Sequence, residues 1–155
     1  MNVRKANIYD FEAVYNLIYQ IFKLHLDRRP DIYTDGIVIT NNQYEEMIEN
    51  HNDVILLWIE DNKVVGLCHM IKRNFEGIPI LKDSIQAYIE DFVVDSEYRF
   101  RGIGRKLFVA TKQEAKEWNA TSLELNVWKV NKEAECFYSK MGFEVKSRIM
   151  EYKID

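Results

Sequence analysis

The sequence predicts an α/β fold in which helices flank a central mixed, mostly antiparallel β-sheet. Strand-like and helix-like patterns alternate along the 155 residues in the order β-α-α-β-β-β-α-β-α-β. The chain is long enough to bury a core of its own, and its 47% hydrophobic and 30% charged residues are typical of a globular protein. Because no repeat or low-complexity segment interrupts the pattern, we expect one domain over residues 1–155.

An amphipathic helix is predicted after a short first strand over residues 2–6. Asp10 is suited to be its N-cap, and Pro30 disfavours helical geometry at the preceding residue, so we expect the helix to end near Asp27. A histidine on its apolar stripe is expected to pack at the edge of the core rather than to act in catalysis. The stripe recurs at intervals of three and four residues, at Val14, Leu17, Ile18, Ile21, Phe22 and His25.

A second helix and a β-hairpin are predicted next. The helix covers residues 41–50, and its inward positions are Tyr44, Met47 and Ile48. Strands over 54–60 and 63–72 are separated by a short polar turn, a spacing typical of a hairpin. The segment 73–83 then connects the hairpin to the central strand.

The centre of the chain joins a strand to a helix through a loop that contains glycine. The residues that favour a strand are Ile89, Phe92, Val93 and Val94, and only Glu90 and Asp91 interrupt them. A polar turn over 95–99 leads into Arg-Phe-Arg-Gly-Ile-Gly at 99–104, and a helical pattern continues to about Asn119. Glycines let backbone N–H groups approach a ligand, and the first turn of a helix offers unpaired donors and the positive end of its dipole. This arrangement is typical of a phosphate-binding site.

The glycine spacing limits the kind of phosphate ligand. A Walker A loop needs Lys followed by Ser or Thr after its second glycine, and the dinucleotide fingerprint needs a third glycine where Leu107 stands. Both patterns are absent from this sequence. The loop has the form R-x-x-G-x-G, with Gly102 and Gly104 at the glycine positions. An ordinary tight turn before a surface helix is the alternative to a ligand loop.

The last part of the chain predicts a strand, a short helix and a final strand. Apolar and polar residues alternate over 122–127, which places on one face Leu123, Leu125 and Val127. Asn131 is expected to cap a helix that ends at Gly142, and the inner side of that helix carries Ala134, Phe137, Tyr138 and Met141. The segment 143–152 is expected to form a last strand or hairpin.

Composition excludes several classes of function. The net charge of −4 does not provide the basic face that nucleic-acid binding needs, and no apolar run is long enough for a membrane span. The first residues are charged where a signal peptide needs an apolar core, so we expect a cytoplasmic protein. Cys68 and Cys136 lack CxxC spacing and the three histidines lack metal-ligand spacing, so neither a disulfide nor a metal is expected.

Two motifs resemble those of the GCN5-related N-acetyltransferase (GNAT) superfamily. One is R-x-x-G-x-G after a strand, and the other is N-x-x-A-x-x-x-Y-x-x-x-G-F, matched by Asn131, Ala134, Tyr138, Gly142 and Phe143. The resemblance covers nearly the whole chain, and the stretch around the central strand is locally similar to polyamine acetyltransferases. Members of the family often have glycine where Phe100 stands and proline where Ser96 stands, so the loop geometry is where this chain departs from the pattern.

The resemblance implies a sheet that is splayed at its central strands and acetyl-CoA as co-substrate. The pyrophosphate would accept hydrogen bonds from the loop and the first helical turn, which comprise Arg99, Phe100, Arg101, Gly102, Ile103, Gly104 and Arg105. The pantetheine arm would pair with the strand backbone at Phe92, Val93 and Val94. Asn131 would contact the same arm in addition to capping its helix.

The resemblance also implies direct attack of an amine on the thioester. An alkylamine with a pKa of about 10 is almost entirely protonated at neutral pH, so a base must take a proton. Glu90 is the candidate base, directly or through water, with Asp91 as the second choice. Tyr138 is the candidate acid that protonates the departing thiolate. The structural alternatives are a solvent-facing Glu90 and a core position for Tyr138.

The acceptor is less well defined than the donor. The loop after the first helix combines Arg28 and Arg29 with Asp31 and Asp35, so its charges suit either an anionic or a cationic group. The hypothesis we favour is the primary amine of a small molecule. A protein or peptide acceptor, and a coenzyme A-binding module without catalysis, are the alternatives. Homodimers are common in the family, although the sequence carries no signature of one.

Overall fold

The chain folds around one five-stranded sheet with helices on both faces, and the computed structural model describes residues 2–154. The strands lie in chain order across the sheet: β1 (Val3–Lys5), β2 (Asp53–Glu60), β3 (Lys63–Asn74), β4 (Ile85–Val94) and β5 (Ser122–Leu125). The first four strands pair antiparallel, and β5 runs parallel to β4. The predicted α/β fold with a mixed, mostly antiparallel sheet is therefore confirmed.

The α-helices begin and end within about two residues of the predicted positions, which is the usual scatter of helix ends. They are α1 (Phe11–Arg28), α2 (Asn41–Glu49), α3 (Ile103–Glu117) and α4 (Lys132–Lys140). Helices α1 and α2 pack on one face of the sheet, against Ile55, Leu57, Leu67 and Val93. Helix α3 packs on the opposite face, against Leu56, Cys68, Met70 and Ile89. Among residues 2–154, no helix has the length and apolar character needed to cross a bilayer.

The N-cap of α1 differs from the prediction. Asp10 stands at the cap position, but its carboxylate accepts no hydrogen bond from α1. Its oxygens instead accept from the Asn7 backbone N–H at 2.9 Å and from the Arg4 guanidinium at 2.6 and 2.7 Å. These bonds stabilise a short 3₁₀ turn over Ile8–Asp10 that precedes the helix. By contrast, Asn131 caps α4 as predicted, because its Oδ1 accepts from the Ala134 N–H at 3.2 Å.

Strand β3 extends two residues into the predicted connection. It continues to Asn74 because Arg73 and Asn74 pair with Gln86 and Ile85 at the start of β4. The connection therefore covers residues 75–84 instead of 73–83. At the other side of β4, β5 ends at Leu125 instead of Val127, because the two strands separate there.

Strand β4 is irregular near its middle. His69 of β3 pairs with Asp91, whereas the next residue, Met70, pairs with Ile89. Glu90 is therefore an extra residue of β4 that has no partner on β3, which is the definition of a β-bulge. β5 accompanies β4 only as far as Ile89, so the rest of β4 has a free backbone edge on the β5 side. The predicted splay of the central strands lies at this point.

The prediction of a last strand or hairpin over 143–152 is wrong. Residues 144–154, called the C-terminal segment below, form no strand and make no backbone hydrogen bond within the described part of the chain. The segment contacts β5 through a side-chain ion pair of Lys146 with Glu124. Its strand-forming residues form no ladder with the neighbouring edge strand β5. Its apolar side chains are 72% to 91% exposed, and they are Val145, Ile149, Met150, Tyr152 and Ile154.

Candidate functional site

The loop between β4 and α3 leaves the first amides of α3 available. Gly102 stands at the N-cap position with φ = +79°, a left-handed conformation that favours glycine, and within residues 2–154 no side chain caps the helix there. A Cβ at Gly102 would meet no atom within 4 Å, so the space beside it is open. Unpaired N–H groups and the positive end of the helix dipole favour an anion. This end of α3 can hold a phosphate group.

The residue that departs from the family pattern adopts a strained backbone. Phe100 has φ = +63°, a left-handed value that is uncommon for a bulky side chain, and its side chain is fully exposed. The chain thus reaches at Phe100 the conformation that a glycine would reach without strain. The loop keeps its turn, and the cost is backbone strain at one residue.

The loop arginines bind their own loop. Arg99 Nε donates to the Val94 carbonyl oxygen at 3.1 Å, and Arg101 Nη2 donates to the Glu97 carbonyl oxygen at 3.0 Å. Each guanidinium therefore holds the turn in shape. Arg105, on the first turn of α3, is exposed beside the open amides.

Gly104 has a packing role. A Cβ there would lie 3.2 Å from Cε2 of Phe137 and 3.7 Å from Cγ2 of Val94. The missing side chain therefore lets α3 approach α4 and the end of β4 closely. Of the two glycines in the motif, Gly102 shapes the turn and Gly104 makes room for a neighbouring helix.

Helix α4 faces the free edge of β4 and brings Tyr138 to it. The Tyr138 ring lies 6.2 Å from the ring of Phe92 and 5.4 Å from that of Phe143, centroid to centroid. Burial raises the pKa of Tyr138, and the charges of Cys68 and Asp91 act in the same direction. The phenol therefore stays protonated at neutral pH and can act as a proton donor. Phe92, Val93 and Val94, the predicted partners of the pantetheine arm, lie on this edge.

An acidic cavity of about 410 Å³ lies at the bulge, on the face of the sheet that α1 and α2 cover. One side of its wall is apolar and includes Ile18, Val38, Ile39 and Met47. Its charged lining consists of Glu46, Asp53, Glu90 and Asp91, together with His69. No lysine or arginine of the described residues lines it. The cavity therefore favours a cation.

The two adjacent carboxylates of β4 differ in their surroundings. Glu90, the unpaired residue of the bulge, is exposed at the cavity. The side chain of Asp91 is 23% exposed and lies beside His69. The structure thus brings both sequence candidates for the base to one cavity.

His69, Asp53 and Glu46 are site residues that the sequence analysis missed. His69 Nε2 lies 2.7 Å from Oδ1 of Asp53, and its Nδ1 lies 3.7 Å from Oδ2 of Asp91. Burial opposes a charge on the ring, but the two carboxylates outweigh it and raise the pKa of His69 above its usual value. The available signal was a histidine inside the otherwise apolar run Val64–Ile71. Among residues 2–154, no group of three or more His, Cys, Asp or Glu is arranged to hold a metal ion.

An aromatic cluster closes the gap between α1 and the loop before α4. The Trp128 Nε1–H donates to the Tyr33 hydroxyl at 3.1 Å, and the Tyr33 ring stacks on His25 at 5.6 Å. Arg28 pairs with Glu133 at 2.9 Å and so ties the end of α1 to α4. Burial lowers the pKa of His25, although Asp91 acts in the opposite direction. His25 is half-buried and stacked, which agrees with the expected position at the edge of the core.

Comparison with known proteins gives matches to acetyltransferases. The Acetyltransferase (GNAT) family model matches residues 16–143. A putative ribosomal protein bS18-alanine N-acetyltransferase of Bacillus subtilis is 31% identical over 101 residues, which is 65% of this chain and 60% of that protein. The chain spans between 31% and 60% of the lengths of the first curated relatives that it matches.

Two solved structures share the fold. A tetramutant of the BH1408 protein of Bacillus halodurans has a TM-score of 0.95 at 24% identity, and the match covers 99% of this chain and 100% of that one. The aminoglycoside N-acetyltransferase AAC(6')-Iy in complex with CoA has a TM-score of 0.74 at 16% identity, with 99% and 98% covered. Because the family model extends over most of the 155 residues and includes both motifs, the chain belongs to the acetyltransferase (GNAT) family.

Proposed function

We propose that this chain transfers the acetyl group of acetyl-CoA to the primary amine of a small cationic molecule. The observation that carries the proposal is the acidic cavity, in which Glu46, Asp53, Glu90 and Asp91 meet without a lysine or arginine of the described residues. An alkylamine is cationic at neutral pH, so these carboxylates attract and orient it. The structural relative that acts on aminoglycosides, which carry several amines, agrees with such an acceptor.

The donor site is proposed along α3 and β4. The open amides after Gly102 suit the pyrophosphate, and the free edge at Phe92, Val93 and Val94 suits the amide groups of the pantetheine arm. An arm that follows this edge from α3 brings the thioester toward the bulge. The relative with bound CoA supports this choice of donor.

In the proposed reaction, the amine nitrogen attacks the thioester carbonyl carbon, and the carbon–sulfur bond breaks. A carboxylate of the cavity first accepts a proton from the bound ammonium, which frees the nitrogen lone pair, and the second proton leaves to water as the amide forms. Tyr138 donates its phenolic proton to the departing sulfur, because burial keeps that group protonated. The products are an N-acetylated amine and free coenzyme A, and Tyr138 regains a proton from water.

We further propose that the enzyme acts as a homodimer in a reducing compartment such as the cytoplasm. The C-terminal segment supports the dimer because it offers exposed apolar side chains that no described residue covers. Both cysteines are free thiols, which agrees with a reducing environment.

The donor is tested first by thermal unfolding. Acetyl-CoA and CoA at about a hundred times Kd should stabilise the protein by about 2.7 kcal/mol, whereas NADH and ATP should not. A matched variant, Gly102→Ala, should reduce the shift because it strains the turn that presents the amides. The donor assignment is abandoned if no coenzyme A species raises the unfolding temperature.

The acceptor is tested by thiol release from acetyl-CoA. Initial rates are compared for a polyamine, an aminoglycoside, an amino acid and a peptide with a free N-terminal alanine. We expect the highest kcat/KM with a small polycation. A higher value for the peptide would favour the activity that the name of the B. subtilis relative states. CoA binding without release by any amine would indicate a binding module.

A further inference from the structure

We propose that Asp91, His69 and Asp53 form a proton relay in which Asp91 takes the proton of the acceptor amine and passes it to His69. The inference rests on the proposed function and names the base within its site. It assigns the role to the second of the two candidate carboxylates and adds two residues behind it. Asp91 is the catalytic residue, and His69 and Asp53 are positioning residues.

The three side chains form a row across three neighbouring strands. His69 of β3 is in register with Asp91 of β4, and on its other side it is in register with Ile55 of β2. Asp53 lies two positions from Ile55 and therefore on the same face of the sheet. The imidazole spans both acids, with Nε2 at 2.7 Å from Asp53 and Nδ1 at 3.7 Å from Asp91.

One ring nitrogen of this buried histidine has no partner. His69 is 4% exposed, and its Nδ1 makes no hydrogen bond within the described residues. A histidine that only fills the core would have both nitrogens paired or solvated. With Nε2–H donated to Asp53, the Nδ1 lone pair is available on the side of Asp91. A shift of about 1 Å brings the two atoms to hydrogen-bond distance.

Asp91 is better placed than Glu90 to pass a proton inward. Glu90 is exposed, and it has no pairing partner on β3. Asp91 borders both the cavity and His69. Asp91 thus has a proton acceptor, His69, next to it, whereas Glu90 faces solvent.

The relay conserves protons and charge. The bound ammonium first gives a proton to Asp91, which passes it to Nδ1 of His69, and the freed nitrogen lone pair then bonds to the carbonyl carbon. The second proton, which the nitrogen loses as the amide forms, leaves to water. The carbon–sulfur bond breaks, and the sulfur takes its proton from Tyr138. His69 becomes an imidazolium between two carboxylates, which stabilise it. The proton then returns to water through the open cavity.

The relay predicts a direction for the pH dependence. His69 accepts a proton only when it is neutral, and the nearby carboxylates raise its pKa. The value of kcat/KM should therefore rise with pH through that raised pKa and level off above it. The titratable groups that face the relay from α1, α2, β2, β3, β4 and α4 are His25, Glu46, Asp53, Cys68, Glu90, Asp91 and Tyr138.

The first test needs no acceptor. The protein is labelled at its histidine rings, and NMR titrations follow His25, His51 and His69, assigned with His25→Gln and His51→Gln. We expect His69 to titrate above the ordinary value of about 6.5, and Asp91→Asn to lower that midpoint. The matched variant Glu90→Gln should leave the midpoint nearly unchanged. An unchanged midpoint in Asp91→Asn would overturn the coupling on which the relay depends.

The second test uses the best amine found in the turnover panel. Asp91→Asn should lower kcat by about a hundredfold with little change in KM for acetyl-CoA, whereas Glu90→Gln should mainly raise KM for the amine. The matched control is Glu117→Gln, on the exposed side of α3 and outside the cavity, which should leave both constants nearly unchanged. His69→Gln should remove the acidic limb of the pH profile. If His69→Gln does not fold, the effect of Asp91→Asn on kcat still tests the relay.

The reverse order of the Asp91 and Glu90 effects would assign the base to Glu90. If no amine turns over while the NMR coupling is present, the proposed function fails and the Asp91–His69 coupling stands. If amines turn over and the coupling is absent, the relay fails and the proposed function stands.

Discussion

At the scale of single residues, the site consists of groups whose surroundings suit different steps. Tyr138 is shielded from water among the rings of Phe92, Phe137 and Phe143, and it keeps its proton. Glu90 lies in water at the mouth of the acidic cavity. A protonated phenol and a group of carboxylates thus lie on opposite sides of β4, where the proposed reaction would gain and lose a proton.

Removal of the Tyr138 hydroxyl should affect chemistry more than stability. Tyr138→Phe keeps the ring contacts with Phe92 and Phe143, and the lost hydroxyl makes no hydrogen bond within residues 2–154. We expect kcat to fall by about tenfold to a hundredfold, and the free energy of unfolding to change by less than about 0.5 kcal/mol. Steady-state rates and urea unfolding measure the two effects. An unchanged kcat would show that water protonates the sulfur.

At the scale of elements, α3 connects cofactor chemistry to packing. Its N-terminus presents free amides after Gly102, and its second residue, Gly104, allows Phe137 of α4 to approach. The position of α4, and with it that of Tyr138, therefore depends on the lack of a side chain on α3. The two glycines of the motif should fail in different ways when they are replaced.

The stability lost on substitution of Gly104 should be restored in part by a second substitution on α4. The Cβ of Gly104→Ala would lie 3.2 Å from the Phe137 ring, so the ring must move by a few tenths of an ångström. We expect a loss of about 1 kcal/mol of stability, restored in part by Phe137→Leu. Gly102→Ala should cost about as much through its left-handed φ, and Phe137→Leu should not restore it. Thermal unfolding of the three single and two double variants tests this, and additive losses for the Gly104 and Phe137 changes would contradict it.

The elements that were predictable from sequence are those set by local patterns. The stripe of α1 and the cap at Asn131 depend on neighbours within one or two helical turns, so their positions were correct to within about two residues. Asp10 stands at the predicted N-cap position, but its carboxylate makes no capping bond because it pairs with Arg4, a contact between two elements that a local pattern does not encode. The bulge at Glu90 depends on the register of two strands, which no single strand encodes.

The site was predictable where a motif is contiguous. The loop over 99–104 and the helix after Asn131 were found from their spacing, and both are located where the fold requires. His69 and Asp53 were missed because their proximity depends on how β2, β3 and β4 align. The C-terminal segment has strand-forming residues, but strands need a partner that a sequence pattern does not reveal.

At the scale of the whole molecule, the sheet has an exposed edge at β5. β5 is an edge strand of four residues. The C-terminal segment contacts it through a side chain but makes no backbone hydrogen bond in the described chain. Exposed strand edges and contiguous apolar side chains favour association with another chain. In the proposed dimer, the C-terminal segment of a second copy would provide backbone groups to pair with the β5 edge and apolar side chains to pack against it.

Charges on the C-terminal segment should therefore separate the copies. We expect sedimentation at micromolar concentration to give a dimer, and Met150→Lys with Ile154→Lys to give a monomer, because the two side chains are 91% and 87% exposed in the single chain. Val109→Lys, on the exposed side of α3, is the matched control and should leave the dimer intact. A wild-type chain that sediments as a monomer at every concentration would refute the dimer.

The unpaired residue of β4 also changes which of its side chains share a face of the sheet. Residues two apart share a face, so Ile89 and Asp91 would lie on one face of a regular strand. The extra residue reverses this, and Asp91 lies with Val93 toward α1 while Phe92 lies with Ile89 toward α3. Deletion of Glu90 would place Asp91 directly after Ile89 in a regular strand, so the carboxylate and the phenyl ring would keep their present faces. If the strand became regular with Glu90 retained, the carboxylate would turn into the apolar core and the phenyl ring into the cavity. The unpaired position of Glu90, as much as the identity of its neighbours, therefore decides whether β4 presents an acid or an aromatic ring to the cavity.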